Sequence, residues 1–410
     1  MSDKLTSPNH KYELDLTDTG QVLVYRLADG NVRPVLGADP FPLPEPEPPP
    51  VPPASPLPMI RVSGTRFVDA ATGATWKYRG CSAFTLFEQF AVGRNIGPFC
   101  QWAQANGVGV LRVLGMYNGG IGSFKPFHVS FYYAHLVDFL NEVARFGLSV
   151  EFVVFADVQL GAAEGLNLRN HYRQVRDVLR GRKGVLLEQW NEPFKNGYDA
   201  SVPVEPVPDL VQATGWYDVI DHRIIHADYL TLHGVRDDEW PRKGAKDVLE
   251  LTRLGLAKDP EFVPLGIPGV NDEPYGIGRI LPPPASQQRS LTAQDHGEHA
   301  AACMLFGAGH TIHGDFGIAC RVPDAEEQKC VDAIVQAWDA VPDECQLWTY
   351  TRGGLDDCPL ENNGLRTYAM LDGNRSVAVR IRATAPPVAR AGWRIIGERG
   401  PGGCVVELAR

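Results

Sequence analysis

Between residues 59 and 344 the apolar positions alternate between two patterns. Runs at 108–114, 148–155 and 184–190 are apolar almost throughout, as expected of strands buried on both faces. Stretch 132–146 instead places Leu136, Leu140, Val143 and Ala144 on one helical face and stops at Gly147, and 170–180 reads as a second helix. The alternation continues with a strand at 228–233, a helix at 245–257, a proline-broken strand at 263–270, a helix at 296–306, a short strand at 310–313 and a closing helix at 326–338. Ahead of them, 61–69 and 75–80 form a hairpin that leads into the first buried strand. Seven strands stand out, and residues 201–214 have room for an eighth under a proline-blurred pattern. Strand–helix units at this spacing predict an α/β fold of the (β/α)8 TIM-barrel type rather than an open doubly wound sheet. No Gly-x-Gly-x-x-Gly or Walker loop follows any of the strands, so nucleotide binding has no support.

The flanks are of a different kind. Residues 1–39 carry short strands at 12–16, 21–27 and 32–36, separated by turns at Asp18-Thr19-Gly20 and Asp29-Gly30-Asn31, and are too small for a core of their own. Residues 40–58 hold eleven of the 33 prolines and should form a polyproline II rod that spans up to roughly 60 Å. Residues 345–410, with strands at 366–371, 376–381 and 393–396, read as a small β-appendage on the barrel. The expected division is therefore 1–39, 40–58, 59–344 and 345–410. The N-terminal segment could attach the chain to a larger particle.

Composition narrows the partners. A net charge of −10 disfavours nucleic acid and anionic membranes, which reward basic surfaces. No run approaches the roughly 18 apolar residues of a membrane helix, and Met1-Ser2-Asp3-Lys4-Leu5-Thr6 leads into polar sequence without an apolar secretory core. A soluble chain without a signal peptide is expected, with cytoplasmic, released and virion-associated settings all open. The eight cysteines include no Cys-x-x-Cys pair and read as buried thiols, although the six late ones leave a disulfide or two open.

In a barrel of this kind the chemistry sits at the C-terminal ends of the strands. The residues found there are Phe84 and Glu88, Arg112, Asp157, Asn191 and Glu192, His233 and Arg236, Asp272 and Glu273, and His313 and Asp315. Cleavage of a glycosidic bond needs two carboxyl groups, one to protonate the leaving oxygen and one ionised on the other face of the sugar. Glu192 ends a buried strand and Glu273 a later one, with Asp272 as its closest competitor. Arg112, on an otherwise apolar strand, needs an anionic partner. His310, His313 and Asp315 do not make a metal site, because residues three apart on a strand face opposite sides. Trp102, Trp216, Trp240 and Trp338 could stack on sugars or fill the core.

Residues 185–193, ending in Trp190-Asn191-Glu192-Pro193, resemble strand four of the clan A glycoside hydrolases, especially the cellulase-like family five. Residues 227–233 are similar to that family's strand six, 263–273 to its strand seven and 110–113 to its strand two. The missing strand is then the fifth. The resemblance implies a retaining, β-specific and endo-acting hydrolase, with Glu192 as acid/base, Glu273 as nucleophile and Arg112 supporting it. It also implies that Asn191 contacts the substrate 2-hydroxyl. His233, Trp190 and Asp315 are further candidates for substrate binding, and no metal or organic cofactor is implied. Three family positions differ: Phe155-Ala156-Asp157 stands near the usual strand-three histidine, Val235 replaces a tyrosine, and His313-Gly314-Asp315-Phe316 stands where a tryptophan is usual. The substrate therefore stays open. The competing expectation is a non-catalytic carbohydrate-binding or structural barrel, for example on a phage particle.

Overall fold

A computed structural model describes residues 57–197 and 292–343 continuously, with 202, 205, 207–213, 215, 227–233, 266–274, 276–278, 345 and the terminal strands named below. The first unit, Met1–Pro50, carries β1 (Lys4–Thr6), β2 (Tyr12–Leu16), β3 (Val22–Arg26) and β4 (Val32–Pro34). They form an antiparallel meander in chain order.

The second unit, Val51–Arg410, opens with the antiparallel sheet β5 (Ile60–Ser63), β6 (Arg66–Asp69) and β7 (Thr75–Trp76). Barrel strand β8 (Tyr78–Ser82) follows, then α1 (Leu86–Ala91), α2 (Gly97–Ala105) and β9 (Val110–Leu114). A small hairpin, β10 (Tyr117–Gly119) and β11 (Gly122–Phe124), precedes α3 (Tyr132–Arg145), β12 (Ser149–Phe155), α4 (Leu168–Leu179) and β13 (Val185–Trp190). The second half supplies α5 (Pro193–Asn196), β14 (Val211–Ala213), β15 (Leu230–Leu232), β16 (Gly269–Asn271), α6 (Ala293–Phe306), β17 (Gly309–Ile312), α7 (Asp315–Ile318) and α8 (Ala325–Ala340). Strands β18 (Tyr350–Thr351), β19 (Arg366–Leu371), β20 (Arg375–Ile381), β21 (Trp393–Glu398) and β22 (Cys404–Ala409) make a C-terminal antiparallel sheet whose β20 and β22 lie against α6 and α8.

Eight parallel strands run in the order β14-β13-β12-β9-β8-β17-β16-β15, and a parallel bridge from Ala213 to Tyr229 joins the two ends into a barrel. The fifth strand is β14, inside the stretch that prolines obscured. Asn271 extends β16 past the prolines of 263–270, and the helix expected at 245–257 lies outside the described residues. Helix α6 begins three residues before its expected start because Thr292 and Asp295 form a reciprocal capping box there. Among the described residues, no helix is long and apolar enough to cross a membrane.

Two apolar regions hold the barrel. One, between strands and helices, includes Phe87, Leu136, Phe152, Leu187, Trp102 and Trp338; Trp216 and Trp240 lie outside the described residues. The other fills the lower barrel interior with Tyr78, Val110, Leu186, Val211, Tyr229 and Val270, and receives Phe67 from the β5–β6 hairpin. The Phe67 ring lies edge-on to Tyr229 at 5.3 Å, so the N-terminal end of the barrel is plugged and the open end is the one where the strands finish. Cys81, Cys100 and Cys320 are buried thiols, and burial pushes Cys320 up to about 12.

His171, on α4, has its Nδ1 2.9 Å from the Tyr133 hydroxyl, and burial lowers its pKa to about 4. In the unfolded chain it would protonate near pH 6.5. The stability it contributes is therefore complete above about pH 6.5 and lost as pH falls through about 4. The difference in unfolding free energy between wild type and His171→Phe should move by about 3 kcal/mol in the variant's favour from pH 7 to pH 4. Urea midpoints across that range measure it, and a difference independent of pH would refute the buried neutral imidazole.

Candidate active site

Arg112 is the centre of the open end. It lies in β9, fully buried, and its register neighbours on the adjoining strands are Ser82 and Glu151. Its guanidinium grips Glu188 of β13 with two parallel bonds from one edge: Nε donates to Oε2 at 2.8 Å and Nη2 to Oε1 at 2.9 Å. Nη2 also donates to Asn191 Oδ1 at 2.8 Å, and Nη1 to Glu273 Oε1 at 2.8 Å. Asp272 Oδ2 stands 2.9 Å from Nε, and Glu151 Oε2 is 3.9 Å away. The Phe84 ring lies under the guanidinium at 5.5 Å. Four carboxyl groups thus surround one buried cation. Burial opposes the charge on Arg112, but Asp272, Glu188 and Glu273 outweigh it and raise its pKa. Burial, followed by the Asp272 charge, raises Glu151 to about 7 against the pull of Arg112 and of the Tyr229 and Tyr78 hydroxyls that donate to it. Burial likewise pushes Glu188 upward, yet its two-pronged acceptance from Arg112 requires the ionised form, because a protonated oxygen would set a donor against a donor.

The reactive-looking groups sit one layer higher. Asn191 and Glu192 follow β13 directly, and Glu192 takes the left-handed conformation (φ 44°, ψ 64°) as the chain turns into α5. Such a conformation is costly for a side chain with a Cβ and is found where function holds it. Gly215, just past β14, is needed beside this turn: a Cβ there would fall 1.2 Å from the Trp190 carbonyl oxygen. His233 follows β15, and Asp272 and Glu273 follow β16. His233 Nδ1 lies 3.0 Å from Glu192 Oε1 and 3.5 Å from Glu273 Oε2, and its Nε2 lies 3.5 Å from Asp272 Oδ1. Lys195 holds the other oxygen of Glu192, Oε2, at 2.8 Å. One ligand-type atom from each of Glu192, His233 and Glu273 falls within 4.8 Å of the others, and Glu188, His233 and Asp272 form a second such group.

Electrostatics put the proton of this group on the imidazole. Burial works against a charged His233, but Glu273, Asp272 and the bond to Glu192 raise it to about 10. Glu192 is pushed up by burial, but the bond to His233, with smaller help from Lys195, leaves it below the ordinary carboxylate range.

The structure brings together Arg112, Asn191, Glu192, His233 and Glu273, all singled out in the sequence. It separates Asp272 from Glu273: Asp272 is fully buried on Arg112 and His233, while Glu273 reaches the upper rim beside Glu192. Trp190 stacks on Phe155 with ring centres 4.3 Å apart, under the site. Asp315 stands beside the strand-seven loop, where its N–H donates to the Ile277 carbonyl and a Cβ on Gly278 would meet its Cγ at 2.9 Å. Asp157, left-handed like Glu192, is raised chiefly by burial and further by the charges of Glu192 and Glu273. His313 is held by Ser82 at 2.7 Å, whereas His310 packs outside the barrel on His299 and Trp338. Sequence reasoning missed Glu188 and Glu151. The signal was a charge within an apolar strand: Glu188 shares the face of Leu186, which fills the barrel interior.

An eight-stranded parallel barrel of this kind is the fold of glycoside hydrolase family 5 structures. The chain is similar to a family 5 glycoside hydrolase from Bacteroides vulgatus, at 12% identity and a TM-score of 0.51, over 85% of this chain and 93% of that one. It is equally similar to a beta-glucanase from Saccharophagus degradans solved with cellotetraose, at 13% identity and a TM-score of 0.51, over 72% of this chain and 98% of that one. No protein-family model matches the sequence, and no curated relative matches it.

Proposed function

We propose that the protein is a retaining glycoside hydrolase that cleaves β-linked oligo- or polysaccharides internally, with Glu273 as nucleophile and Glu192 as acid/base. The observation that carries this reading is the closeness of the two carboxylates: oxygens of Glu192 and Glu273 lie within 4.8 Å of one another at the open end of the barrel. Retaining pairs stand about 5–5.5 Å apart, whereas inverting pairs leave about 6.5–9.5 Å for a water molecule. The shared fold with a beta-glucanase that binds cellotetraose agrees with a carbohydrate ligand.

In the proposed reaction Glu273 attacks the anomeric carbon, the glycosidic C–O bond breaks, and Glu192 delivers a proton to the leaving oxygen. A glycosyl ester on Glu273 results. Water then attacks the same carbon, Glu192 takes its proton, and Glu273 leaves as a carboxylate. Arg112 steadies that carboxylate in both steps through its 2.8 Å bond to Oε1. The same guanidinium, which can only donate, fixes the Asn191 amide with Oδ1 inward, so the Asn191 NH2 is turned toward the sugar as a donor. Glu192 has to be protonated when the substrate is in place, although its partners favour the carboxylate. The proton is at hand on His233 Nδ1, 3.0 Å away, and excluding water around a bound sugar favours the less charged form of the pair.

The test is a panel of β-glucans, mannans, xylans and aryl β-glycosides, with the first product followed by proton NMR. A β-anomer ahead of mutarotation supports the reading. An α-anomer would mean inversion, and binding without turnover on every sugar would favour a recognition module.

A further inference from the structure

We infer that Glu192, His233 and Glu273 form a binding site for a zinc-like divalent transition-metal ion, whose occupation shuts the site to substrate. The blocking half of this inference rests on the hydrolase reading above; the binding half does not.

Three features support it. First, the donors suit a borderline ion: two carboxylate oxygens and one imidazole nitrogen match zinc or cobalt better than magnesium or calcium, which take oxygen alone. Second, the donor atoms converge. The separations of His233 Nδ1 from Glu192 Oε1 and Glu273 Oε2 are 3.0 and 3.5 Å. A tetrahedral zinc site with bonds of about 2.0–2.1 Å has edges of about 3.3 Å. The carboxylate pair, within 4.8 Å, has to close by about 1.5 Å at most. Third, each ligand is already held from behind. Lys195 takes the other oxygen of Glu192 at 2.8 Å, Arg112 takes the other oxygen of Glu273 at 2.8 Å, and Asp272 faces the other ring nitrogen of His233 at 3.5 Å. An imidazole backed by a carboxylate and carboxylates backed by cations are the outer shell that orients metal ligands. Three ligands leave a fourth position toward the open end, as in zinc sites that keep a water molecule.

The ion takes the place of the hydrogen bond between His233 and Glu192. The imidazole proton leaves to solvent, and no electrons move. With the ion in place, Glu192 cannot carry the leaving-group proton and Glu273 Oε2 is no longer a nucleophile.

The test uses the full chain without sugar. Cobalt(II) chloride is titrated while visible absorption is followed, and zinc chloride by calorimetry. One ion per chain is expected, with the intense visible bands of a four- or five-coordinate cobalt site. Glu273→Gln and His233→Gln should each weaken binding at least 30-fold, and Asp272→Asn, which changes a backing group and no ligand, about 10-fold. Circular dichroism shows whether each variant is folded. Wild-type protein that takes up no ion at 1 mM, or folded Glu273→Gln and His233→Gln that bind as tightly as wild type, would overturn the site. Zinc should then abolish hydrolysis at the concentration where it binds, and EDTA should restore it. Hydrolysis unaffected at saturating zinc overturns the blocking half. A chain that binds one ion yet cleaves no sugar leaves the metal site standing and removes the hydrolase reading.

Discussion

Glu273→Ala should lose hydrolysis by roughly 10⁴-fold or more on every substrate, because removing a nucleophile removes the covalent step itself. Glu192→Ala should behave differently. Its loss should be on the order of 10²–10⁴ on natural glycosides, the usual worth of a general acid, and much smaller for aryl glycosides whose leaving groups depart without protonation. Azide separates the roles further. In Glu192→Ala it fits the space left by the carboxyl and attacks the glycosyl ester from the water side, giving a β-glycosyl azide. In Glu273→Ala it attacks the anomeric carbon from the nucleophile's side, giving the α-azide. Kinetics on a graded series of aryl glycosides, with NMR of the azide products, measure both. A leaving-group dependence in Glu273→Ala and none in Glu192→Ala would reverse the assignment.

The second large effect concerns stability. Arg112→Met should destabilise the protein by about 3–5 kcal/mol, the usual cost of removing one partner from a buried ionic cluster. The reason is specific: Glu188, Asp272 and Glu273 would face one another without the guanidinium that now touches all three at 2.8–2.9 Å. Arg112→Lys should recover only part, because a single ammonium cannot make the two-pronged contact with Glu188 and still reach Glu273. Adding Glu188→Gln to Arg112→Met should restore stability relative to the single variant, since one unpaired buried charge goes with it. Denaturant midpoints of the four proteins test this. A double variant less stable than Arg112→Met would contradict the clustered-charge account.

Much of the site could be read from the sequence because strand ends carry their own signature. Glu192 and Glu273 each follow an apolar run, and a polar group there must emerge at the barrel rim. Arg112 could be recognised as inward-facing because a guanidinium on an apolar strand demands an anion. Its main partner could not. Glu188 is brought to Arg112 by the registers of β9, β12 and β13, which set Arg112 opposite Glu151 and Glu188 opposite Val153, and register between parallel strands leaves no local trace. The fifth strand could be placed only within 201–214 for a different reason: β14 is three residues long and follows several prolines, so neither period nor length could fix its bounds. Helices α1 and α2 also went unread. They are short, and Gly93 and Pro98 interrupt the stretch that holds them.

The joint between β14 and β15 has a mechanical consequence. Among the described residues it is made by the Ala213–Tyr229 bridge together with the Asp228 N–H donating to the Gln212 carbonyl at 2.8 Å and the Gln212 N–H donating to Asp228 Oδ2 at 2.9 Å, so a side chain takes part in closing the ring. The Tyr229 hydroxyl then reaches across the interior to Glu151 of β12, where the Tyr78 hydroxyl of β8 also ends. The ring is therefore closed by two strands of only three residues each, β14 and β15, and riveted from within by a phenol–carboxylate–phenol link. Amides of 211–213 and 230–232 should exchange with solvent deuterium sooner than those of 150–155, and Tyr229→Phe should widen the gap. Uniform protection around the ring would mean that these short strands are held as firmly as β12.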